Sequence, residues 1–225
     1  NNHKYCLMKQ YKEINFMKYL LIISYLLFIN PGWSKDISWY DLEERDGLYY
    51  EKVKNILFTG DITGRENGKI IKGKREGEWL EYWDNGQLYS RTNYQGGKYD
   101  GAYFSYYDSG QLNVNVNYID GKKDGELLDY YESGVLNWKE IYKKGLIDGE
   151  SLIYYETGQL WYKTNYRNGK RHGLYLKYNI NGRLIEKKIY KEGRIDGEWL
   201  RYYDDGKLIE KKIYKNGNLI ENIKP

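Results

Sequence analysis

The chain has 225 residues, of which 17% are aromatic and 28 are Tyr, with 25 Gly against only 2 Pro. Lys and Arg total 36 and Asp and Glu 32, so the net charge is only +4, and the two signs interleave along most of the chain. That balance excludes a dedicated nucleic-acid binder, which segregates its basic residues, and the aromatic content excludes a disordered chain; one Cys and two His make neither a disulfide framework nor a Cys/His zinc site.

Residues 1–16 read as upstream sequence outside the natural protein, with Met17 as the first credible start. Residues 17–34 have the layout of a secretory signal peptide. Lys18 supplies the basic region and Tyr19 to Ile29 the apolar run. Pro31 and Gly32 break that run, and Gly32 and Ser34 are the small residues before a cut at Lys35. The run falls short of the about 20 apolar residues of a bilayer span, so export to the periplasm, envelope or exterior is expected, with a retained anchor as the alternative. Residues 35–72 read as an N-terminal cap. Asp46-Gly47-Leu48-Tyr49-Tyr50 is a degenerate repeat start, and Phe58-Thr59-Gly60 and Ile70-Ile71 mark further strands.

From residue 73 to 217 the chain repeats itself. Gly77, Gly101, Gly125, Gly149, Gly173 and Gly197 recur every 24 residues, with no insertion or deletion. Tyr82, Tyr106, Tyr130, Tyr154, Tyr178 and Tyr202 keep the same step, as do Leu88, Leu112, Leu136, Leu160, Leu184 and Leu208. A third series runs Leu80, Phe104, Leu128, Leu152, Leu176, Leu200, and another Tyr runs from Tyr94 to Tyr214. Asn85-Gly86, Asn181-Gly182 and Asp205-Gly206 punctuate each repeat. Such pairs favour two-residue hairpin turns, where both positions need positive φ. Runs such as Glu78 to Trp83 and Leu88 to Tyr94 have strand length and strand composition. The expected fold is all-β: six 24-residue hairpins stacked into an elongated antiparallel array, closed by a C-terminal cap over 218–225. Isolated hairpins are marginal, so each copy depends on its neighbours. The two-residue alternation of a strand assigns Leu80 and Tyr82 to a packed face and residues 79, 81 and 83 to the more exposed one.

The phrase G-K-x-D-G-x-W-x-x-Y-Y-x-x-G-x-L, as at Gly121-Lys122-Lys123-Asp124-Gly125 and Gly197-Glu198-Trp199-Leu200-Arg201-Tyr202-Tyr203, resembles the bacterial MORN-repeat variant. The entry segment Glu44-Arg45-Asp46-Gly47-Leu48-Tyr49-Tyr50, with Phe58-Thr59-Gly60, resembles the lead-in of the YwqK-family antitoxins of toxin–antitoxin systems. That resemblance implies a protein partner, a toxin. His172 in place of Asp, and Asn179-Ile180 before the fifth turn, depart from the pattern.

No nucleophile elbow, phosphate loop, zinc-protease or EF-hand pattern is present, and nothing calls for a cofactor or metal. A triad would have to use His172, which stands in a turn column filled by Asp elsewhere. Asp100, Asp124, Asp148 and Asp196 could gather around a cation or satisfy turn amides, and the second reading needs nothing further. The irregular outer aromatics are the candidate binding surface, since aromatics are enriched at interfaces: Trp79, Trp83, Tyr103, Tyr107, Tyr131, Tyr155, Trp161, Tyr175, Trp199 and Tyr203. The expected function is a non-enzymatic scaffold that binds another protein. A cell-wall glycan module comes second and lipid-surface binding third, the balanced charge giving little attraction to anionic lipid.

Overall fold

A computed structural model describes residues 37–224. The expected upstream segment and signal peptide lie outside the described residues. Ser38 opens a 3-10 turn over Trp39–Asp41. Its hydroxyl accepts from the Tyr40 amide at 3.3 Å, and the Asp41 carboxylate accepts from the Ser38 amide at 3.2 Å. A three-stranded sheet follows, from β1 (Leu42–Arg45), β2 (Leu48–Glu51) and β3 (Ile56–Leu57). The rest of the chain is one antiparallel meander. It begins with β4 (Gly60–Ile62), β5 (Glu66–Ile71), β6 (Lys74–Tyr82), β7 (Leu88–Gln95), the short β8 (Lys98–Tyr99), β9 (Gly101–Tyr106) and β10 (Leu112–Ile119). It continues with β11 (Lys122–Tyr130), β12 (Leu136–Lys143), β13 (Leu146–Tyr154), β14 (Leu160–Arg167), β15 (Lys170–Tyr178), β16 (Leu184–Lys191), β17 (Arg194–Tyr202), β18 (Leu208–Lys215) and β19 (Asn218–Ile223). Strands adjacent in sequence are adjacent in the sheet throughout, β8 alone standing off the path beside β7. At about 4.8 Å per strand the sheet extends about 70 Å.

The two hairpin connections differ from the expectation, and the difference lies in φ. At Asn85-Gly86 only the glycine is left-handed (φ 85°). The Gly86 amide donates to Trp83 O at 2.9 Å and the Trp83 amide to Gln87 O at 2.8 Å, closing a three-residue loop of a tight turn plus a glycine bulge. The two-residue turn with both residues at positive φ is the other connection, as at Asp120 (49°) and Gly121 (76°). It joins one repeat to the next, with Ile119 paired to Lys122. The segment Lys122-Lys123-Asp124 is therefore strand, and β11 runs on through Gly125 to Tyr130. The register slips by two residues near each glycine of the Gly77 column, for example between Glu140–Ser151 and Tyr142–Ile147. At Gly149 φ is 147° and a Cβ would stand 3.0 Å from that of Ile141, so only glycine fits the slip there.

The acidic column beside these glycines caps the turns. Asp100, Asp124, Asp148 and Asp196 accept the amides of Asp120, Lys144, Asn168 and Asn216, 2.9–3.2 Å away. Each carboxylate thus ties its repeat to the next. His172 interrupts the column, its Nδ1 3.2 Å from Glu192 Oε1 without forming a hydrogen bond.

Burial corrects the expected faces. The Leu80 and Tyr82 columns are half-buried, whereas the opposite face holds Trp79 (0% exposed), Leu127, Ser151 and Tyr175, and from the partner strands Ser90, Thr92, Val116 and Thr164. The physical reason is that, among the described residues, no second layer covers the sheet beyond the cap. Each face is shielded only by its own neighbouring side chains, and the face with the larger rings shields itself better. At the N-terminal end the cap adds a true core of Leu42, Phe58, Ile62, Ile70 and Trp79. Backbone bonds from Tyr49 to Gly73 O (2.9 Å) and from Gly73 to Phe58 O (2.7 Å) hold the cap there.

Candidate interaction surface

The leucine face carries the Leu80 column beneath a ladder of ion pairs. Arg91–Glu78 (2.7 Å), Lys139–Glu126, Lys163–Glu150 and Lys211–Glu198 (2.6 Å) occupy the same two positions in four repeats. The hydrogen bond from Lys211 holds the Glu198 carboxyl below its usual range. Such exposed pairs contribute little to stability, but they cover the leucines with alkyl stems and matched charge.

The aromatic face is built differently. The Tyr94 column lies here beside the aromatics of the Trp79 column. Trp79 and Tyr94 are 6.1 Å apart, Tyr103 and Tyr118 6.2 Å, Tyr175 and Tyr190 6.2 Å, and Trp199 and Tyr214 5.9 Å. Cations lie over these rings: Arg75 over Trp79 (4.2 Å), Lys123 over Tyr142 (5.0 Å), Arg171 over Tyr190 (5.5 Å), and Lys188 and Lys212 over Trp199 (4.9 and 4.5 Å). Such contacts attract a cation to the ring face whether or not a carboxylate is also near. Burial pushes the Tyr103 phenol up to about 12, and raises Tyr94, Tyr142 and Tyr175 as well, Tyr175 also through Glu186. These phenols are neutral at physiological pH, so the face presents neutral rings and cations beside the carboxylates of Glu140, Glu186 and Glu210.

The ten candidate aromatics separate into two groups and one bridge. Trp79, Tyr103, Tyr175 and Trp199 belong to the aromatic face, but Trp79 is sealed under the cap by Trp39, 5.8 Å away. Trp83, Tyr107, Tyr131 and Tyr155 form a ladder along the turn edge. Trp83 Nε1 donates to Tyr106 O (3.1 Å), Tyr107 Oη to Tyr130 O (2.7 Å), Tyr131 Oη to Tyr154 O (2.8 Å) and Tyr155 Oη to Tyr178 O (3.1 Å). Each tip joins one repeat to the next. Tyr203, in the same column, is 57% exposed. Trp161 bridges the groups, stacked on Tyr155 (5.3 Å) and Tyr162 (4.3 Å). Lys177, Glu186, Trp199, Arg201 and Tyr203 line a depression of about 520 Å³ at the C-terminal end.

Sequence reasoning missed the cations. Two columns signal them: one changes from Thr92 and Val116 to Lys188 and Lys212, and the other holds Arg75, Lys123 and Arg171. Each basic residue read alone is an ordinary strand surface residue. Only the register shows that these columns lie between rings. Among the described residues no group of three or more His, Cys, Asp or Glu side chains is placed to hold a metal.

Over the described residues these features define a β-repeat protein built on one long sheet, with no second layer among those residues beyond its first repeat. Four segments, residues 75–95, 99–120, 147–168 and 195–220, match the MORN repeat variant family, and the repeats between them keep the same pairing in the sheet. MORN repeats generally serve interaction with proteins or lipids, and their scaffolds are generally non-enzymatic. No curated protein matches the chain.

Proposed function

We propose that this chain is a non-enzymatic scaffold that binds another protein along the aromatic face of its sheet. The observation that carries the reading is the row of cation–ring contacts over Tyr175, Tyr190 and Trp199, which no second layer among the described residues covers. Tyr, Trp and Arg, which this face supplies at Tyr175, Tyr190, Trp199 and Arg171, are among the groups most enriched at protein interfaces. The entry segment's resemblance to YwqK-family antitoxins supports a toxin as the partner. The signal-peptide layout of residues 17–34 supports a meeting outside the cytoplasm. The test is affinity capture from the source cells at moderate salt, followed by direct binding of the purified protein so identified. A stoichiometric partner whose binding falls with Trp199→Ala and not with Arg91→Gln supports the reading. A partner insensitive to both, or none, removes it.

The stack of Tyr155, Trp161 and Tyr162 favours a second reading, glycan binding, because flat ring platforms suit sugar faces. Retention on isolated cell wall that Trp161→Ala abolishes would select it.

A further inference from the structure

The repeat supplies its own control experiment. Arg75 and Arg171 occupy the same column, four periods apart, and so do Trp79 and Tyr175, and Tyr94 and Tyr190. Both arginines lie over their two rings: Arg75 at 4.2 and 5.5 Å, Arg171 at 5.7 and 5.5 Å. The first site is complete. Arg75 pairs with Glu66 (2.7 Å) and lies within 3.8 Å of Glu81, and the cap lays Trp39 (5.2 Å) and Tyr49 (5.9 Å) over it. Its side chain is 16% exposed.

The second site has the same floor but lacks what completes the first. The positions of Glu66 and Glu81 are taken by Tyr162 and Lys177. Among the described residues Arg171 has no carboxylate at ion-pair distance. Its side-chain hydrogen bond goes to Tyr166 Oη at 3.4 Å, and the residue is exposed. Lys177 also lacks a carboxylate there and lies 5.6 Å over Tyr162. Among the described residues no cap covers these rings. Around them the aromatic face over its last repeats carries Arg171, Lys177, Lys188, Arg201 and Lys212 against only Glu186 and Glu210, which are already engaged by Lys188, Lys212 and Arg201 at 2.7–3.1 Å.

We infer that Arg171, Tyr175 and Tyr190 form the floor of a binding site for an acidic peptide segment of a partner protein, one that carries an aromatic side chain followed closely by carboxylates. The ring would take the place that Trp39 takes over Arg75, and the carboxylates would replace Glu66 and Glu81. The inference deepens the scaffold reading and rests on it. A charge pair formed over ring faces and shielded from water is stronger than an exposed one, which makes a cation without a carboxylate the natural anchor.

The chain itself supplies the probe, because the cap segment 38–44 (Ser-Trp-Tyr-Asp-Leu-Glu-Glu) has the required chemistry. A fluorescein-labelled peptide of that sequence is titrated into the full chain at low salt and followed by polarisation and amide shifts. The expected result is saturable binding with shifts at Arg171, Tyr175 and Tyr190. Arg171→Gln weakens it about tenfold or more, and Arg91→Gln on the other face leaves it unchanged. On the wild-type chain, peptides with Trp replaced by Ala, or with Asp and Glu replaced by Asn and Gln, lose binding to a similar degree, so the test does not depend on how Arg171→Gln folds. Equal affinity for Arg171→Gln, binding that survives loss of the peptide's carboxylates, or shifts confined to Arg75 and the cap overturns the inference. So does the absence of peptide binding together with Arg171-dependent binding to equimolar phosphatidylserine–phosphatidylcholine vesicles. A captured partner that binds elsewhere on the chain, with no peptide binding here, defeats this inference and leaves the scaffold reading standing. Failure of both leaves neither.

Discussion

Trp79→Ala tests how the cap is held. The indole is fully buried, packed against Trp39, Tyr94 and the Arg75 guanidinium, and its Nε1 donates to Lys69 O at 3.2 Å. Gly68 exists to receive it, since a Cβ there would stand 2.2 Å from the indole Cδ2. Truncating a fully buried Trp costs about 3–5 kcal/mol, of which the hydrogen bond accounts for about 1 kcal/mol. Trp79→Phe keeps most of the ring and should therefore lose only about 1–2 kcal/mol. In a linear array the loss stays local, so a single two-state fit is the wrong instrument. Hydrogen exchange read by mass spectrometry resolves it. Peptides covering Leu42–Tyr94 should lose protection, while those from β16 to β19 keep theirs. A change below about 1 kcal/mol, given the scale of buried Trp truncations, or a uniform loss along the sheet, would refute the reasoning.

The edge ladder predicts that Tyr131→Phe removes only the bond to Tyr154 O, at about 1 kcal/mol, with faster exchange confined to the third and fourth repeats; no change there would make the ladder incidental. The two turn types predict that Asn168→Ala, at φ 47°, costs about 1 kcal/mol, whereas Asn181→Ala, beside the lone left-handed Gly182, stays within about 0.5 kcal/mol; hydrogen exchange of the strands flanking each turn should quicken for the first variant and not for the second. The Tyr103 phenol titrates from 10.0 unfolded to about 12 folded, so its neutral form favours the folded state. Its contribution is complete below pH 10 and is lost as pH rises toward 12, so Tyr103→Phe should flatten the alkaline fall in stability over that window. An unchanged alkaline limb would contradict the burial of that ring.

Much of the candidate surface was legible as residue type but not as placement. The aromatics at 79, 103, 175 and 199 were visible as an irregular column, yet whether Trp79 is free or sealed depends on Trp39, forty residues earlier in the chain. The hydroxyls of Tyr107, Tyr131 and Tyr155 read as available contact groups. Their acceptors are carbonyls 23 residues further on, which lie within reach only once the hairpins pair. The chemistry of Arg171 was invisible for the same reason: Tyr175 is four residues away, but Tyr190 reaches it across a strand pair.

What the amino-acid order determined by itself is the period, the β-hairpin unit and the number of copies. Glycines with positive φ and alternating apolar residues act within a few bonds, and they repeat without a gap from Gly77 to Gly217. Their assignment to turn types was reversed, because Asn-Gly suits either geometry and the pairing of the flanking strands selects one. The tertiary structure alone decided which face is shielded. In a single-layer sheet neither face is intrinsically inside, and burial is set by what lies across it: a cap from a distant segment at one end, and neighbouring rings elsewhere.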